Sequence, residues 1–137
     1  MKTKTIREAE IWLADLPRDK GHQQGGIRPV LVVSNNRANH YSPVVDVIPF
    51  TTQKQNKKLP VHAFFKMGEG GLKEDSVLMA EQKCTVNKTQ MIVRLGVFNE
   101  DQMTKAATIA LMQTPFIIKA FNAGVHNTVQ FRQLAMA

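Results

Sequence analysis

The residues with the clearest chemical potential stand beside two apolar runs. Arg28 follows the glycine-rich turn "HQQGG" and precedes the run "PVLVVS", while Thr51 and Thr52 follow the run "VVDVIPF". If the two runs pair as neighbouring strands, the guanidinium and the hydroxyls meet at one rim of the sheet. An arginine presents a rigid fork of N–H donors that matches phosphate oxygens, and a threonine hydroxyl donates or accepts a single proton. The pattern indicates a site that handles phosphate groups.

A structural interpretation of the same residues stays open. Arg28 could instead pair with a carboxylate such as Asp46 or Glu81, and Thr51 could cap a turn. A cationic segment beside the same rim suits a phosphate backbone, but it is equally typical of a solvated loop. Its lysines are Lys54, Lys57 and Lys58. From the residues alone, the sequence is compatible with a nucleic-acid-binding protein and does not require one.

Metal and nucleotide chemistry are not indicated. The histidines lie far apart along the chain and there is one cysteine, Cys84, so no group has the spacing of metal ligands. The glycine turn "GEGG" is not followed by the lysine and hydroxyl that a phosphate-binding loop needs. We therefore expect neither a metal site nor a cofactor.

Size, charge and cysteine content limit the class of protein. The chain has 137 residues, of which 43% are hydrophobic, and a net charge of +7, which predicts one compact domain whose surface favours polyanions. No apolar stretch approaches the roughly 18 to 20 residues of a membrane span, and "MKTKTIREAE" is not a signal peptide. A single cysteine allows no intrachain disulfide, which fits a protein of a reducing compartment. We expect a cytoplasmic protein that does not enter the membrane.

Short apolar runs between turns predict a mainly β domain. Alternating or β-branched patterns predict strands at "EIWLAD", "PVLVVS", "VVDVIPF", "VHAFF", "DSVLMA" and "IVRLGVF". Turn residues interrupt the series at "MGEGG" and "TVNKTQ". Because no helix-length crossover lies between the strands, the pattern favours an antiparallel barrel over a parallel sheet.

The apolar period changes from two to three or four after the last predicted strand. Asn99 suits a helix N-cap, and the helix should end near Thr114 because a proline follows. A second helix is predicted from there to Gly124. The remaining residues show no convincing pattern. We predict a single domain with C-terminal helices over residues 1–124 and an extension of unknown role over residues 125–137.

Several of these segments stand together in a defined order. They are "EIWLADLPRDKGHQQGGIRPVLVVSNN", "HYSP", "VIPFTTQ", "KLPVH" and "EDSVLMAEQ", spaced over roughly residues 8 to 112. In this order and spacing they resemble the MazF/PemK family of toxins from type II toxin-antitoxin systems. The resemblance implies an α+β fold, an SH3-like antiparallel barrel with a C-terminal helix, and a homodimer. It also implies a sequence-specific, metal-independent endoribonuclease that cuts single-stranded RNA, chiefly mRNA, until a cognate MazE-like antitoxin binds it.

Two other functions remain compatible with the same scaffold. One is a gyrase-directed toxin of the related CcdB type, because a fold does not fix a function. The presence of Arg28 and Thr51 argues against it. The other is a family member that binds RNA or an antitoxin with weak cleavage or none, which is suggested by the amide Gln23 at a position where the family often has an acid.

The resemblance carries the family's functional positions onto this chain one at a time. The arginine after the double glycine is Arg28 and the threonine after the third strand is Thr51, which resemble the family's catalytic pair. The family often has an acid in the glycine turn, where this chain has Gln23, and an amide cannot exchange a proton as a carboxylate does. His22 is a candidate for that proton transfer, since imidazole titrates near neutrality. Ala9 replaces a glycine that is frequent before the first strand.

The same resemblance suggests how RNA would be bound and cut. The nucleophile is the 2′-hydroxyl of the RNA itself, so the protein needs to orient the strand, move protons and stabilise charge on the phosphate. The expected products are a 2′,3′-cyclic phosphate and a 5′-hydroxyl. Bases should be read in a groove between the loops of residues 17–26 and 52–58. The candidates for RNA contacts are Lys20, Gln24, Asn35, Thr52, Gln53, Lys54 and Ser76.

Overall fold

The computed structural model describes residues 4–17, 25–52 and 59–136 of the chain. Within these ranges seven strands form one sheet, and four α-helices accompany it. The strands are β1 Glu10–Leu16, β2 Gly26–Val32, β3 Val44–Thr51, β4 His62–Phe65, β5 Ser76–Met79, β6 Cys84–Asn87 and β7 Met91–Val97. The α-helices are α1 Asn36–Tyr41, α2 Glu100–Gln113, α3 Ile118–Asn122 and α4 Thr128–Ala135. Short 3-10 turns lie at Glu69–Gly71, Ala80–Gln82, Lys88–Gln90 and Pro115–Ile117.

The sheet is antiparallel, and its strand β3 pairs with three other strands. Its strand order is β4-β5-β3-β2-β1-β7, and β6 pairs with β3 as well. The first half of β3 pairs with β6, whereas Phe50 and Thr51 at its end pair with β5. Among the described residues β4 and β7 do not pair with each other, so the sheet has open edges. The predicted class, a mainly β antiparallel fold of SH3-like type with C-terminal helices, is confirmed.

Both faces of the central strands are buried, which explains their continuous apolar runs. Ile11, Leu31 and Ile48 point to one core, which helix α2 closes with Ala106 and Ile109. Their chain neighbours on β1, β2 and β3 point to a second core on the opposite face. Successive strand residues face opposite sides of a sheet, so a strand packed on both sides loses its polar positions. The strands that carry Arg28 and Thr51 are therefore packed against a hydrophobic core on each face.

Helix α2 begins and ends where the sequence predicts. The Asn99 side chain accepts a hydrogen bond from the Gln102 amide at 2.8 Å, and the Gln102 side chain accepts one from the Asn99 amide at 2.7 Å. This reciprocal pair satisfies two amides that the first helical turn leaves without partners. The last residue is Gln113, directly before Thr114 and the proline.

Four features differ from the sequence prediction. Strand β6 lies where a turn was predicted, and its four residues pair with β3 although only one of them, Val86, is buried. The short polar helix α1 was not predicted. The second predicted helix is a 3-10 turn followed by α3, before Gly124 with a φ of 88°. The tail, for which no pattern was found, contains α4, which Asn127 caps by accepting from the Gln130 amide at 2.9 Å. In the described ranges no helix is long and apolar enough to cross a membrane.

Ala9 adopts a backbone conformation that favours glycine. Its φ is 74°, and no other non-glycine residue in the described ranges has a positive φ. The Ala9 amide donates to the Val32 carbonyl at 2.9 Å, and the Ala9 carbonyl accepts from the Phe98 amide at 2.9 Å. These two bonds hold the residue in place, and they explain why a glycine would suit this position.

We propose that residues 1–124 form the domain and that residues 125–137 are an extension which the domain does not need for folding. Every α4 side chain that the structure describes is exposed. Ending the chain after Gly124 therefore removes little buried surface, and the thermal unfolding temperature should stay within about 2 °C of the full chain's. A drop of roughly 5 °C or more in a thermal melt would show that the extension is part of the folded core.

Candidate functional site

Strands β2 and β3 bring Arg28 and Thr51 to the same end of the sheet. The two strands pair through Val30 with Pro49 and Leu31 with Ile48, and continuing this antiparallel register sets Arg28 opposite Thr51. The Arg28 guanidinium donates through Nη1 to the Phe50 carbonyl at 3.5 Å. The two residues that the sequence placed at one rim are therefore neighbours.

A small cleft of about 240 Å³ opens at this point. Thr51 and Ser76 are almost completely buried, with 4% and 2% of their surface exposed, whereas Thr52 is exposed. Hydroxyls recessed in this way can meet a group that enters the cleft, and they lose little conformational entropy in doing so. The polar residues that line the cleft are Arg28, Thr51, Thr52, Lys73, Glu74 and Ser76.

Two backbone carbonyls orient the Arg28 guanidinium. Besides the contact with Phe50, Nη2 donates to the Gly25 carbonyl at 3.1 Å. Partial burial lowers the pKa of the Arg28 guanidinium, which nevertheless stays protonated because an arginine loses its proton only in strong base. A positive charge in a partly desolvated cleft attracts an anion more strongly than the same charge in water.

The carboxylates considered as partners of Arg28 are bound elsewhere. Both oxygens of Glu81 lie near His62 Nε2, at 2.6 and 2.9 Å. Asp46 accepts a hydrogen bond from the Thr85 hydroxyl at 2.7 Å and lies 3.8 Å from the Lys83 ammonium. The structure thus gives these two acids other partners.

Lys73 and Glu74 belong to the cleft, although the sequence reasoning did not single them out. The Ser76 hydroxyl donates to the Glu74 carbonyl at 2.8 Å, which fixes the short segment before β5. Because β5 pairs with the end of β3, the residues that precede β5 must lie beside Thr51. In the sequence Lys73 and Glu74 appear only as part of the polar segment "KEDS". The position of this segment beside Thr51 depends on a strand pairing that the sequence does not reveal.

Asn35 lies away from the cleft. Its side chain accepts a hydrogen bond from the Ala38 amide at 2.9 Å and caps helix α1. It follows the far end of β2, and seven residues of extended chain separate it from Arg28 by roughly 20 Å. The structure does not bring this predicted RNA contact together with Arg28, Thr51, Thr52 and Ser76.

The other predicted site residues lie outside the described residues. They are Lys20, His22, Gln23, Gln24, Gln53 and Lys54. In the sequence they belong to the two segments that adjoin Gly25 and Thr52. Among the residues that the structure describes, no group of three or more histidines, cysteines or acids is placed to hold a metal ion.

Comparison with known sequences identifies the family of this chain. Residues 7–112 match the family model of the PemK-like, MazF-like toxin of type II toxin-antitoxin system. A relative, "Endoribonuclease EndoA" of Bacillus subtilis (strain 168), is 34% identical over 100 residues, which are 73% of this chain and 86% of that protein.

Solved structures share the fold at low sequence identity. MazF (Form-I) from Deinococcus radiodurans is 18% identical, with a TM-score of 0.70 over 82% of this chain and 98% of that one. An endoribonuclease from a mycobacterial species, in complex with its cognate antitoxin, is 20% identical, with a TM-score of 0.66 over 80% of this chain and 95% of that one. Since the family model covers most of the chain, the protein belongs to the PemK-like, MazF-like toxins of type II toxin-antitoxin systems.

Proposed function

We propose that the protein is an endoribonuclease that cuts single-stranded RNA, chiefly mRNA, at a specific short sequence and without a metal ion. It acts as a homodimer in the cytoplasm, and a cognate MazE-like antitoxin holds it inactive. The name of the Bacillus subtilis relative supports the activity, and the mycobacterial endoribonuclease bound to its cognate antitoxin supports the kind of partner. The guanidinium and hydroxyl groups that line the cleft of this chain support the proposed reaction.

The observation that carries the proposal is the meeting of Arg28 with recessed hydroxyls in one cleft. When the 2′-oxygen of RNA attacks the phosphorus, negative charge builds on the two non-bridging oxygens. Arg28 donates hydrogen bonds to these oxygens and stabilises that charge. Such preorganised donors are worth about 10²- to 10³-fold in rate each.

Thr51 orients the reacting group beside Arg28. Its hydroxyl donates to or accepts from the attacking or leaving oxygen, but a threonine alone is a weak base. The bond between the 2′-oxygen and phosphorus forms while the bond from phosphorus to the 5′-oxygen breaks, which leaves a 2′,3′-cyclic phosphate and a 5′-hydroxyl. Because the substrate supplies the nucleophile and Arg28 supplies the positive charge, this reaction needs no metal. His22 remains a candidate for proton transfer from the glycine turn, whereas the amide of Gln23 can only hydrogen-bond the reacting group.

Binding of RNA and of the antitoxin would use the same cationic surface. Thr52 and Ser76 line the cleft together with Lys73. The other candidates belong to the sequence segments directly before Gly25 and directly after Thr52, and they are Lys20, Gln24, Gln53 and Lys54. A net charge of +7 favours a polyanion. An acidic antitoxin segment that folds as it binds would exclude RNA from this surface.

A chelator experiment with Thr51 variants tests the proposal. Purified protein is incubated with a long single-stranded RNA, with and without EDTA, and the 5′ ends are mapped. The wild type should cut at one short sequence in both conditions. Thr51→Ala should cut at least 10-fold more slowly, while Thr51→Ser, which keeps the hydroxyl, should lose less.

Other outcomes distinguish the alternatives. Uncut RNA together with inhibition of DNA gyrase would replace the proposal by a CcdB-like activity. Uncut RNA that still binds tightly would indicate an inactive family member. Cleavage that EDTA abolishes would contradict the metal-independent mechanism.

A further inference from the structure

Glu74 is the one carboxylate among the described residues that line the cleft. It shares the cleft with Arg28 and Thr51, and its side chain is exposed to the solvent that an RNA strand would displace. The glycine turn "GHQQGG" of this chain, which adjoins Arg28 in the sequence, contains no acid and has the amide Gln23. The reaction needs a group that accepts the proton of the 2′-hydroxyl, and neither an amide nor an arginine can do so.

The backbone on both sides of Glu74 is fixed. On the C-terminal side the Ser76 hydroxyl donates to the Glu74 carbonyl at 2.8 Å, and Asp75 Oδ1 accepts from the Met67 amide at 2.8 Å. On the N-terminal side Leu72 is buried in the core. A side chain on such an anchored segment is presented from a defined point, as a catalytic group must be.

The Glu74 carboxylate is also available for chemistry. Within the described ranges it takes part in no ion pair, whereas Glu10 pairs with Arg94 and both oxygens of Glu81 lie within hydrogen-bond distance of His62 Nε2. A carboxylate that is already bound to a cation or to backbone amides is a weaker proton acceptor. Glu10 and Glu81 thus have structural roles, whereas Glu74 is the acid that lines the cleft.

We propose that Glu74 is the general base of the cleavage reaction, an inference that rests on the ribonuclease function proposed above. The Glu74 carboxylate takes the proton of the 2′-hydroxyl, and the 2′-oxygen forms its bond to phosphorus. The bond from phosphorus to the 5′-oxygen breaks, and this oxygen takes a proton from water. Glu74 then returns its proton to the solvent, and no electrons are gained or lost.

The test compares Glu74→Gln with Asp75→Asn. The two changes remove neighbouring negative charges, but Asp75 does not line the cleft, and asparagine keeps an oxygen for the Met67 amide. Single-turnover cleavage at saturating RNA should fall about 10²- to 10³-fold in Glu74→Gln, in the range for a lost general base, and stay within about 3-fold of wild type in Asp75→Asn. Affinity for a substrate with a 2′-deoxynucleotide at the cut site should change little in both.

Two further measurements separate catalysis from a structural role. The acid limb of the wild-type pH–rate profile should be absent in Glu74→Gln and present in the control Asp75→Asn. Added formate should restore part of the rate to Glu74→Ala, since it supplies a carboxylate in the emptied space. A Glu74→Gln rate within about 3-fold of wild type, or an unchanged acid limb, would overturn the role of Glu74 and leave the ribonuclease function standing. A wild type that does not cut RNA would overturn both.

Discussion

Replacing Arg28 by lysine should lower the cleavage rate about 10²- to 10³-fold while the protein stays folded. Lysine keeps the positive charge, but it is a point charge on a flexible stem and lacks the fork of donors. In the wild type the Gly25 and Phe50 carbonyls orient this fork. Most of the lost rate should therefore appear in the chemical step and only a small part in RNA affinity.

The matched control for Arg28→Lys is Arg37→Lys. Arg37 is an exposed residue of helix α1, which lies beyond the far end of strand β2 from Arg28. Both variants should melt within a few degrees of wild type, and only the Arg28 variant should lose single-turnover cleavage. Full activity of Arg28→Lys would show that charge alone is required. An unfolded Arg28→Lys would assign the residue a structural role instead.

Replacing Gly96 by alanine should cost about 3 kcal/mol or more of the free energy of unfolding. A Cβ at Gly96 would lie 2.3 Å from the Gly70 carbonyl oxygen and 2.9 Å from the Gly71 nitrogen, so the backbone of one segment must move. The contact joins β7 to the turn of residues 69–71, which leads directly into the segment with Lys73 and Glu74. A shift here should also disturb the cleft.

Gly68→Ala separates this steric clash from backbone strain. Gly68 has a φ of 96°, but a Cβ there would meet nothing within 4 Å, so only the strain of a left-handed conformation remains, about 1 to 2 kcal/mol. Urea unfolding should rank wild type above Gly68→Ala and Gly68→Ala above Gly96→Ala. The reverse order of the two variants would mean that the close approach of β7 to the turn does not support the fold.

Most of the sheet was predictable because its strands carry apolar runs. The strands around Ile11, Leu31 and Ile48 are buried on both faces, so each appears in the sequence as a continuous apolar run that can be recognised. Strand β6 and helix α1 were missed, since "CTVN" buries only Val86 and α1 is short and polar. Backbone pairing with β3 holds β6, and the Asn35 cap begins α1. Neither interaction produces an apolar pattern in the sequence.

The candidate site was predictable in part for the same reason. Arg28 and Thr51 meet because neighbouring strands carry them, and strand neighbours can be expected from sequence order. Glu74 joins them only because β5 pairs with the end of β3, a non-local contact with no local signature. Asn35 lies apart from them at the cap of helix α1, because a residue just past a strand lies a full strand length from the other end.

The most direct test of the central claim is the chemistry of the cut ends. A short RNA with one cleavage site is incubated with the protein in EDTA, and the products are weighed by mass spectrometry, beside the same RNA with a 2′-deoxynucleotide before the scissile bond. The mechanism through Arg28 and Thr51 predicts a 2′,3′-cyclic phosphate and a 5′-hydroxyl from the first RNA and no cut in the second. A 5′-phosphate with a 3′-hydroxyl, or cleavage of the deoxy-substituted strand, would contradict it.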